Sequence, residues 1–183
     1  METNLLVAGF GGQGVMVLGQ LISYAVCDNS DKNVTFYPSY GAEQRGGTAN
    51  CYVVISDKDV GAPMADVMDD LIVMNAPSLN RFLPVLKPGG NLFINSSIVK
   101  DEIERRDVNV IEAPVTELSL EMGSAKVVNV IMLGAYIGYT GILPSNMVEQ
   151  TILEKLGRKV ELIQMNKDAF AKGLDIGKKA KGT

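Results

Sequence analysis

Histidine is absent from this chain of 183 residues. A serine–histidine–aspartate triad, a histidine general base and a histidine-ligated metal are therefore excluded. The two cysteines, Cys27 and Cys51, are too few and too far apart in the sequence to hold an iron–sulfur cluster or a thiolate zinc site. We interpret both as small buried apolar residues. No disulfide framework is suggested, so the composition fits a reducing, cytoplasmic compartment.

Basic clusters and long uninterrupted apolar runs are also missing. The net charge is −4 and lysines cluster only in residues 178–183, so nucleic-acid binding has little support. The first residues lack the basic and apolar regions of a signal peptide. The longest apolar segment, residues 127–143, has 17 residues and is interrupted by Asn129 and three glycines, so no membrane association is predicted.

What is present predicts an α/β fold with three layers, α/β/α, around a mostly parallel sheet. The chain is 46% hydrophobic, enough for a sizeable core, and short apolar runs alternate with segments of helical periodicity. Strands are predicted at residues 4–8, 34–38, 50–56, 71–75, 91–95 and 108–113, and helices at residues 13–27, 77–86, 127–143, 145–156 and 161–179. Residues 39–49 leave no room for a crossover helix, so we expect the sheet to be mixed, with an antiparallel pair.

The domain organisation is predicted to be simple. Residues 1–183 are expected to form one domain, with a C-terminal helical arm at about residues 161–183. Ser145 is predicted to cap the helix that follows it, and residues 87–90 to end the helix before the fifth strand. The apolar helix at residues 127–143 is expected to lie under the C-terminal helix or against a partner subunit, with a homodimer when the chain is expressed alone.

A glycine motif follows the first predicted strand and opens the first predicted helix. Gly9, Gly11, Gly12 and Gly14 satisfy the G-x-G-x-x-G spacing, in which glycines let a backbone approach a pyrophosphate at a helix N-terminus. The alternative is a tight turn without a ligand. An NAD-type ligand would call for an acidic residue at the end of the second strand, which ends instead in Pro38-Ser39-Tyr40.

The segment between the second and third strands is polar and rich in glycine. Arg45 offers a planar donor group for phosphate or carboxylate, and Gly46 and Gly47 would free backbone N–H groups near it. Ser39 and Tyr40 add hydroxyl groups. Because this segment leaves the sheet near the carboxyl ends of the strands, we expect it to complete the site at the glycine motif. The alternative is a surface pair between Arg45 and Glu43.

Two other function classes are compatible with these residues. Residues 69–95 are also similar to a stretch common in S-adenosylmethionine methyltransferases, although a strand, a helix and a Pro-Gly-Gly turn suit any such sheet. A stand-alone nucleotide-binding enzyme, such as a methyltransferase or a reductase, is therefore the second hypothesis. The third is an interaction subunit whose glycine turn binds nothing.

Four segments together resemble one family. They are GFGGQGV at residues 9–15, PSYGAEQRGGTANC at 38–51, MNAPSLNRF at 74–82 and LKPGGNLFINSS at 86–97. In this order, and over almost the whole chain, they look like the gamma subunit of 2-oxoacid:ferredoxin (acceptor) oxidoreductases. The RGGTANC form is more similar to the 2-oxoglutarate and 2-ketoisovalerate enzymes than to the pyruvate enzymes. Ala42 is a departure, since many relatives have proline there.

The resemblance implies a fold like domain III of pyruvate:ferredoxin oxidoreductase and a role in a multisubunit enzyme. That enzyme decarboxylates a 2-oxoacid, here 2-oxoglutarate, to an acyl-CoA and reduces ferredoxin. Thiamine diphosphate would be bound by the alpha and beta subunits and iron–sulfur clusters by beta or delta-type subunits. This chain would bind no cofactor firmly, would be inactive alone and would supply scaffold and coenzyme A contacts. The predicted contacts are Gly9, Gly11, Gly12, Gly14, Ser39, Tyr40, Arg45, Gly46 and Gly47, with no catalytic residue or metal ligand assigned.

Overall fold

A six-stranded mixed sheet forms the centre of the computed structural model, which describes residues 1–40, 48–157 and 160–182. The strands are β1 (Glu2–Phe10), β2 (Asn33–Tyr40), β3 (Thr48–Ser56), β4 (Met68–Val73), β5 (Leu86–Asn95) and β6 (Asn109–Ala113). Their order across the sheet is β2-β3-β1-β4-β5-β6. Strands β1, β4, β5 and β6 are parallel, whereas β3 is antiparallel to both β1 and β2. The predicted α/β fold with an antiparallel pair is confirmed.

Helices cover both faces of the sheet. They are α1 (Val15–Asn29), α2 (Ala76–Phe82), α3 (Val115–Glu121), α4 (Val128–Thr140), α5 (Ser145–Leu156) and α6 (Val160–Lys181). One apolar core joins the sheet to α1, α3, α4, α5 and α6. A second, smaller core joins the opposite face to α2 and to residues 96–108, which connect β5 to β6. The three layers follow from this arrangement, because each face of the sheet needs an apolar cover.

Helix α4 is the apolar helix expected from the sequence, and its residues from Val128 to Ile137 are buried. On one side Tyr136 meets Phe93 of β5 edge to face, with 5.3 Å between the ring centroids. On the other side α6 approaches so closely that a Cβ atom on Gly134 would collide with the backbone oxygen of Phe170. The segment predicted as a C-terminal arm is thus a helix that packs against α4.

Three local predictions differ from the structure. Ser145 is not a cap, since Pro144 takes the N-cap position and its carbonyl accepts from Met147 and Val148. Residues 87–90 belong to β5, where a shift of register between β4 and β5 accommodates them; the preceding helix already ends at Phe82, followed by a 3-10 turn. Helix α3 was not predicted, because seven residues after Pro114 carry too short a periodic pattern.

No helix within the described ranges is long and apolar enough to cross a membrane.

Candidate functional site

The two predicted ligand-binding segments meet at one edge of the sheet. This edge carries the carboxyl ends of β1, β4, β5 and β6, where ligands of open α/β sheets bind. Strand β3 is antiparallel to β1, so it begins where β1 ends: Phe10 pairs with Thr48, and Gly9 pairs with Ala49. Ala49 in turn pairs with Tyr40 of β2. The glycine motif and both ends of the polar segment therefore lie side by side.

Three residues of the predicted site lie outside the part of the chain that the structure describes. Arg45, Gly46 and Gly47 belong to residues 41–47, which are not among the described residues. Ser39 lies near the end of the edge strand β2, half-buried and paired with Asn50 of β3. The backbone of Tyr40 ends the same strand at the same edge. The sheet thus brings Ser39, Tyr40 and the glycine motif together, as the sequence predicted.

The four motif glycines form two pairs, and the reason for having glycine differs between the pairs. A Cβ atom on Gly9 would lie 2.7 Å from the Gln13 Oε1 atom and 2.8 Å from the Met74 Cβ atom. Gly14 has φ +73°, and a Cβ atom there would lie 2.7 Å from the Asn129 side chain. Packing inside the protein therefore requires glycine at both positions, whether or not a ligand binds.

Packing inside the protein does not explain the glycines at positions 11 and 12. Both are exposed, and a Cβ atom on either would meet nothing within 4 Å among the described residues. Gly12 has φ +96°, which alone favours glycine, but the backbone of Gly11 lies outside the left-handed region. No described residue therefore covers the backbone of this turn, and a ligand or a neighbouring segment could approach it closely.

Helix α1 begins directly after this turn, with Gly14 as its N-cap residue. Within the part of the chain that the structure describes, no side chain caps this N-terminus, and the first turn contains no acidic residue. The first N–H groups of a helix have no partner within the helix and carry partial positive charge. This end of α1 is therefore suited to an anion such as a phosphate group.

Gln13 holds the turn to the end of β4, a role that the motif spacing did not indicate. Its Oε1 atom accepts from the Phe10 N–H at 2.7 Å and from Asn75 Nδ2 at 3.2 Å. Its Nε2 atom donates to the Met74 carbonyl at 3.0 Å. Asn75 is itself fixed, since its Oδ1 atom caps α2 by accepting from the Ser78 N–H at 2.9 Å. Only the fold brings these residues, about sixty positions apart, into contact.

Arg81 is a basic residue at this edge that sequence reasoning missed. It lies in the last turn of α2, where its Nη1 atom donates to Thr48 Oγ1 at 3.2 Å. Its guanidinium group also stacks on the ring of Phe82, 5.0 Å from the centroid. Thr48 is the first residue after the segment that contains Arg45, so Arg81 adds positive charge beside that segment.

Asn129 connects the glycine turn to the buried helical layer. It lies in the first turn of α4, is 6% exposed, and donates from Nδ2 to the Gly14 carbonyl at 3.5 Å. The N-terminal ends of α1 and α4 consequently lie next to each other. The sequence pattern singled out Asn129 only as an interruption of an apolar run.

The cysteines are not catalytic candidates at this site. Cys51 is fully buried in β3, its thiol faces the Val15 carbonyl with 3.6 Å between sulfur and oxygen, and burial raises its pKa to about 12. A nucleophilic cysteine needs the thiolate form, which such a pKa suppresses. Cys27 is exposed on α1, so the prediction that both cysteines are buried holds for Cys51 and is wrong for Cys27.

Comparison with known proteins identifies related sequences over nearly the whole chain. The family model for pyruvate ferredoxin/flavodoxin oxidoreductase matches residues 4–176. The chain is 34% identical over 180 residues to ketoisovalerate oxidoreductase subunit VorA of Methanothermobacter marburgensis, which covers 97% of this chain and 37% of that relative. It is 31% identical over 182 residues to 2-oxoglutarate synthase subunit KorC of the same organism, and this match covers 96% of this chain and 97% of that relative. The chain therefore spans little more than a third of the length of the VorA relative.

A solved structure with the same fold comes from Magnetococcus marinus. It is 2-oxoglutarate:ferredoxin oxidoreductase with 2-oxoglutarate, coenzyme A and succinyl-CoA bound. The TM-score is 0.89 at 25% sequence identity, and the match covers 97% of this chain and 31% of that chain. The match thus involves one part of a longer polypeptide.

Proposed function

Since the chain belongs to the pyruvate ferredoxin/flavodoxin oxidoreductase family, we propose that it is the gamma subunit of a multisubunit 2-oxoacid:ferredoxin oxidoreductase. The complex decarboxylates a 2-oxoacid, transfers the acyl group to coenzyme A and passes two electrons to ferredoxin. The observation that carries the proposal is the alignment with a 2-oxoglutarate synthase subunit over 96% of this chain and 97% of that relative. The rest of the chemistry belongs to the alpha, beta and delta-type subunits.

The cofactors of the reaction belong to those partner subunits. An iron–sulfur cluster is usually held by four cysteine thiolates. This chain has two cysteines, one exposed on a helix and one buried with a pKa of about 12. Its residues therefore do not fit a cluster. We assign the thiamine diphosphate and the clusters to the partners, and the chain is inactive by itself.

The contribution of this chain to the reaction is a set of contacts to coenzyme A. Support comes from the Gly11–Gly12 turn and the N-terminus of α1, neither of which is covered or capped by a described side chain, and from the polar segment that begins and ends beside them. The pyrophosphate suits the N–H groups of such a turn. Ser39, Tyr40, Arg45, Gly46 and Gly47 are the proposed contacts from the segment. Among them Arg45 supplies a charged, planar donor group.

The 2-oxoacid of the complex is 2-oxoglutarate in this proposal, with 2-ketoisovalerate as the alternative. The similarity to both a KorC and a VorA subunit supports this pair. Turnover of the native complex with 2-oxoglutarate, 2-ketoisovalerate and pyruvate at equal concentration tests the choice. A complex that prefers pyruvate would contradict it.

Purification of the tagged chain from its native cells tests the proposed subunit role. We expect alpha and beta partners to co-purify, and the complex to reduce a viologen dye when a 2-oxoacid and coenzyme A are both present. The pure chain alone should give no dye reduction. Binding of S-adenosylmethionine or NADH by the pure chain, with no co-purifying subunits, would instead favour a stand-alone nucleotide-binding enzyme.

A further inference from the structure

We propose that Gln13 is a positioning residue for the acyl acceptor, acting through the Gly11–Gly12 turn. The proposal rests on the coenzyme A site proposed above, and it gives a function to a residue outside the predicted set of contacts. Gln13 itself need not touch the ligand. Its task is to hold the backbone of the turn in one shape before the ligand arrives.

Little else among the described residues holds the turn. Gly11 and Gly12 are exposed and have no side chains, and the space beside each is open among the described residues. Glycine has more backbone freedom to lose than any other residue, so a free pair of glycines would sample many shapes. Gln13 restrains both ends of the pair: its side chain accepts from the Phe10 N–H at 2.7 Å, and its own N–H donates to the Phe10 carbonyl at 3.2 Å.

The same side chain ties the turn to a rigid part of the sheet. Its Nε2 atom donates to the Met74 carbonyl, directly after β4, and its Oε1 atom accepts from Asn75. Asn75 is 1% exposed and is oriented by its capping bond to α2. The turn is thus fixed relative to the carboxyl end of a buried strand. A loop held in its bound shape in advance loses less conformational entropy when the ligand binds.

Gly9 provides an independent sign that this arrangement is built into the motif. A Cβ atom at this position would lie 2.7 Å from the Gln13 Oε1 atom, 2.8 Å from the Met74 Cβ atom and 2.9 Å from the Val15 Cγ2 atom. Glycine at position 9 therefore leaves room for the Gln13 carboxamide and its neighbours, while Gly11 and Gly12 remain for the ligand. The shared motif spacing hides this division of roles.

The test uses Gln13→Met and Gln13→Glu in the reconstituted complex. Methionine keeps the size of the side chain without its amide bonds, and glutamate keeps the two acceptor contacts while losing the donor to Met74. We expect Gln13→Met to raise the KM for coenzyme A about tenfold, the effect of losing bonds worth about 1.4 kcal/mol in total. Gln13→Glu should raise the same KM. The kcat at saturating coenzyme A and the KM for the 2-oxoacid should not change.

Gln20→Ala is the matched control, since Gln20 is exposed on α1, the helix that follows the turn; it should leave every constant unchanged. Gly11→Val separates the two proposals, because it places a side chain in the open space where the ligand would lie, without a conformational penalty at φ. An unchanged KM for coenzyme A in Gly11→Val would overturn the coenzyme A site itself. A raised KM in Gly11→Val, but not in either Gln13 variant, would overturn the positioning role alone. An equal rise in the KM for coenzyme A and in the KM for the 2-oxoacid in the Gln13 variants would also overturn it.

Discussion

The hydroxyl of Tyr136 donates a hydrogen bond of 2.9 Å to the carboxylate of Asp70. It joins α4 to β4 inside the core, where Tyr136 is fully buried and Asp70 is 3% exposed. The other carboxylate oxygen accepts from Asn91 Nδ2 of β5 at 2.7 Å. Burial raises the pKa of Asp70, partly offset by these two hydrogen bonds, and burial also raises the pKa of Tyr136. A carboxylate held by neutral donors thus fixes the apolar helix to the sheet.

Removing the Tyr136 hydroxyl should lower stability at neutral pH. Tyr136→Phe leaves one oxygen of a buried carboxylate without its donor, which should lower the free energy of unfolding by about 1–3 kcal/mol at pH 7. Urea unfolding of the isolated chain measures this. Tyr37→Phe is the control, since Tyr37 lies 43% exposed on the edge strand, and it should have little effect. Equal effects of the two variants would mean that the Asp70 bond adds nothing.

Asp70→Asn should make stability less dependent on pH. Because the pKa of Asp70 is raised on folding, the stabilisation from its protonated form is fully present below the unfolded pKa, about 3.9. It is lost as the pH rises through the folded pKa. The stability of Asp70→Asn relative to the unchanged protein should therefore increase from pH 4 upwards and then level off. Unfolding in urea across pH 4 to 8 checks this, and a constant difference would contradict it.

Gly173→Ala should separate α6 from α4. A Cβ atom on Gly173 would overlap the Ile131 carbonyl and lie 2.8 Å from the Gly134 Cα atom, and both are backbone atoms that cannot turn aside. We expect a loss of about 1–3 kcal/mol in the free energy of unfolding, even though alanine favours a helix by about 1 kcal/mol. Lys172→Ala, at the exposed neighbouring position, is the control. A stabilised Gly173→Ala protein would show that the two helices can readily move apart.

The two thiols should react very differently. Cys27 is exposed, whereas Cys51 is buried with a pKa of about 12, so at pH 8 about one Cys51 thiol in ten thousand is ionised. A disulfide reagent should modify one thiol in each folded chain and two in denaturant. Cys27→Ser should abolish the fast reaction of the folded chain. Fast modification of two thiols in the folded chain would mean that β3 opens readily.

The fold was predictable because its signals are local. Among the described residues, apolar runs and helical periodicity located all six strands and five of the six α-helices, and the short interval between β2 and β3 predicted their antiparallel pairing. Features that depend on distant residues were not predictable. Gln13 meets Met74 and Asn75 only after β1 and β4 pair, and Arg81 reaches Thr48 only after α2 packs on the sheet. The prediction that Ser145 caps α5 was wrong because the adjacent Pro144 occupies the N-cap position.

The position of the candidate site was predictable to the level of segments, while its ligand-binding role stays a prediction. Strand register brings the glycine motif beside the ends of the polar segment, as expected for a segment that leaves the sheet near the carboxyl ends of the strands. Which glycines serve packing and which remain open did not follow from the motif, because Gly9 and Gly14 are constrained by Gln13 and Asn129. A regular spacing of glycines therefore indicates a turn, and only the surrounding contacts separate the positions required by packing from those left open for a ligand.

Arg45 supplies the sharpest test of the proposed coenzyme A contacts. If its guanidinium group binds a phosphate or carboxylate of the acyl acceptor, Arg45→Ala removes a charge-assisted hydrogen bond worth about 1.5–3 kcal/mol. The KM for coenzyme A in the reconstituted complex should then rise roughly ten- to hundredfold. Arg45→Lys keeps the charge but loses the planar pair of donors, so it should restore only part of the affinity.

Arg106→Ala is the matched control for the loss of one arginine. The Arg106 side chain is 84% exposed, and its Nη2 atom lies 3.8 Å from a Glu102 carboxylate oxygen. Such surface pairs contribute little, so this variant should leave the KM for coenzyme A unchanged. If Arg45→Ala behaved like Arg106→Ala, with the complex still assembled, the polar segment would not contact coenzyme A. The Gly11–Gly12 turn and the N-terminus of α1 would then be the remaining candidates for the phosphate contacts.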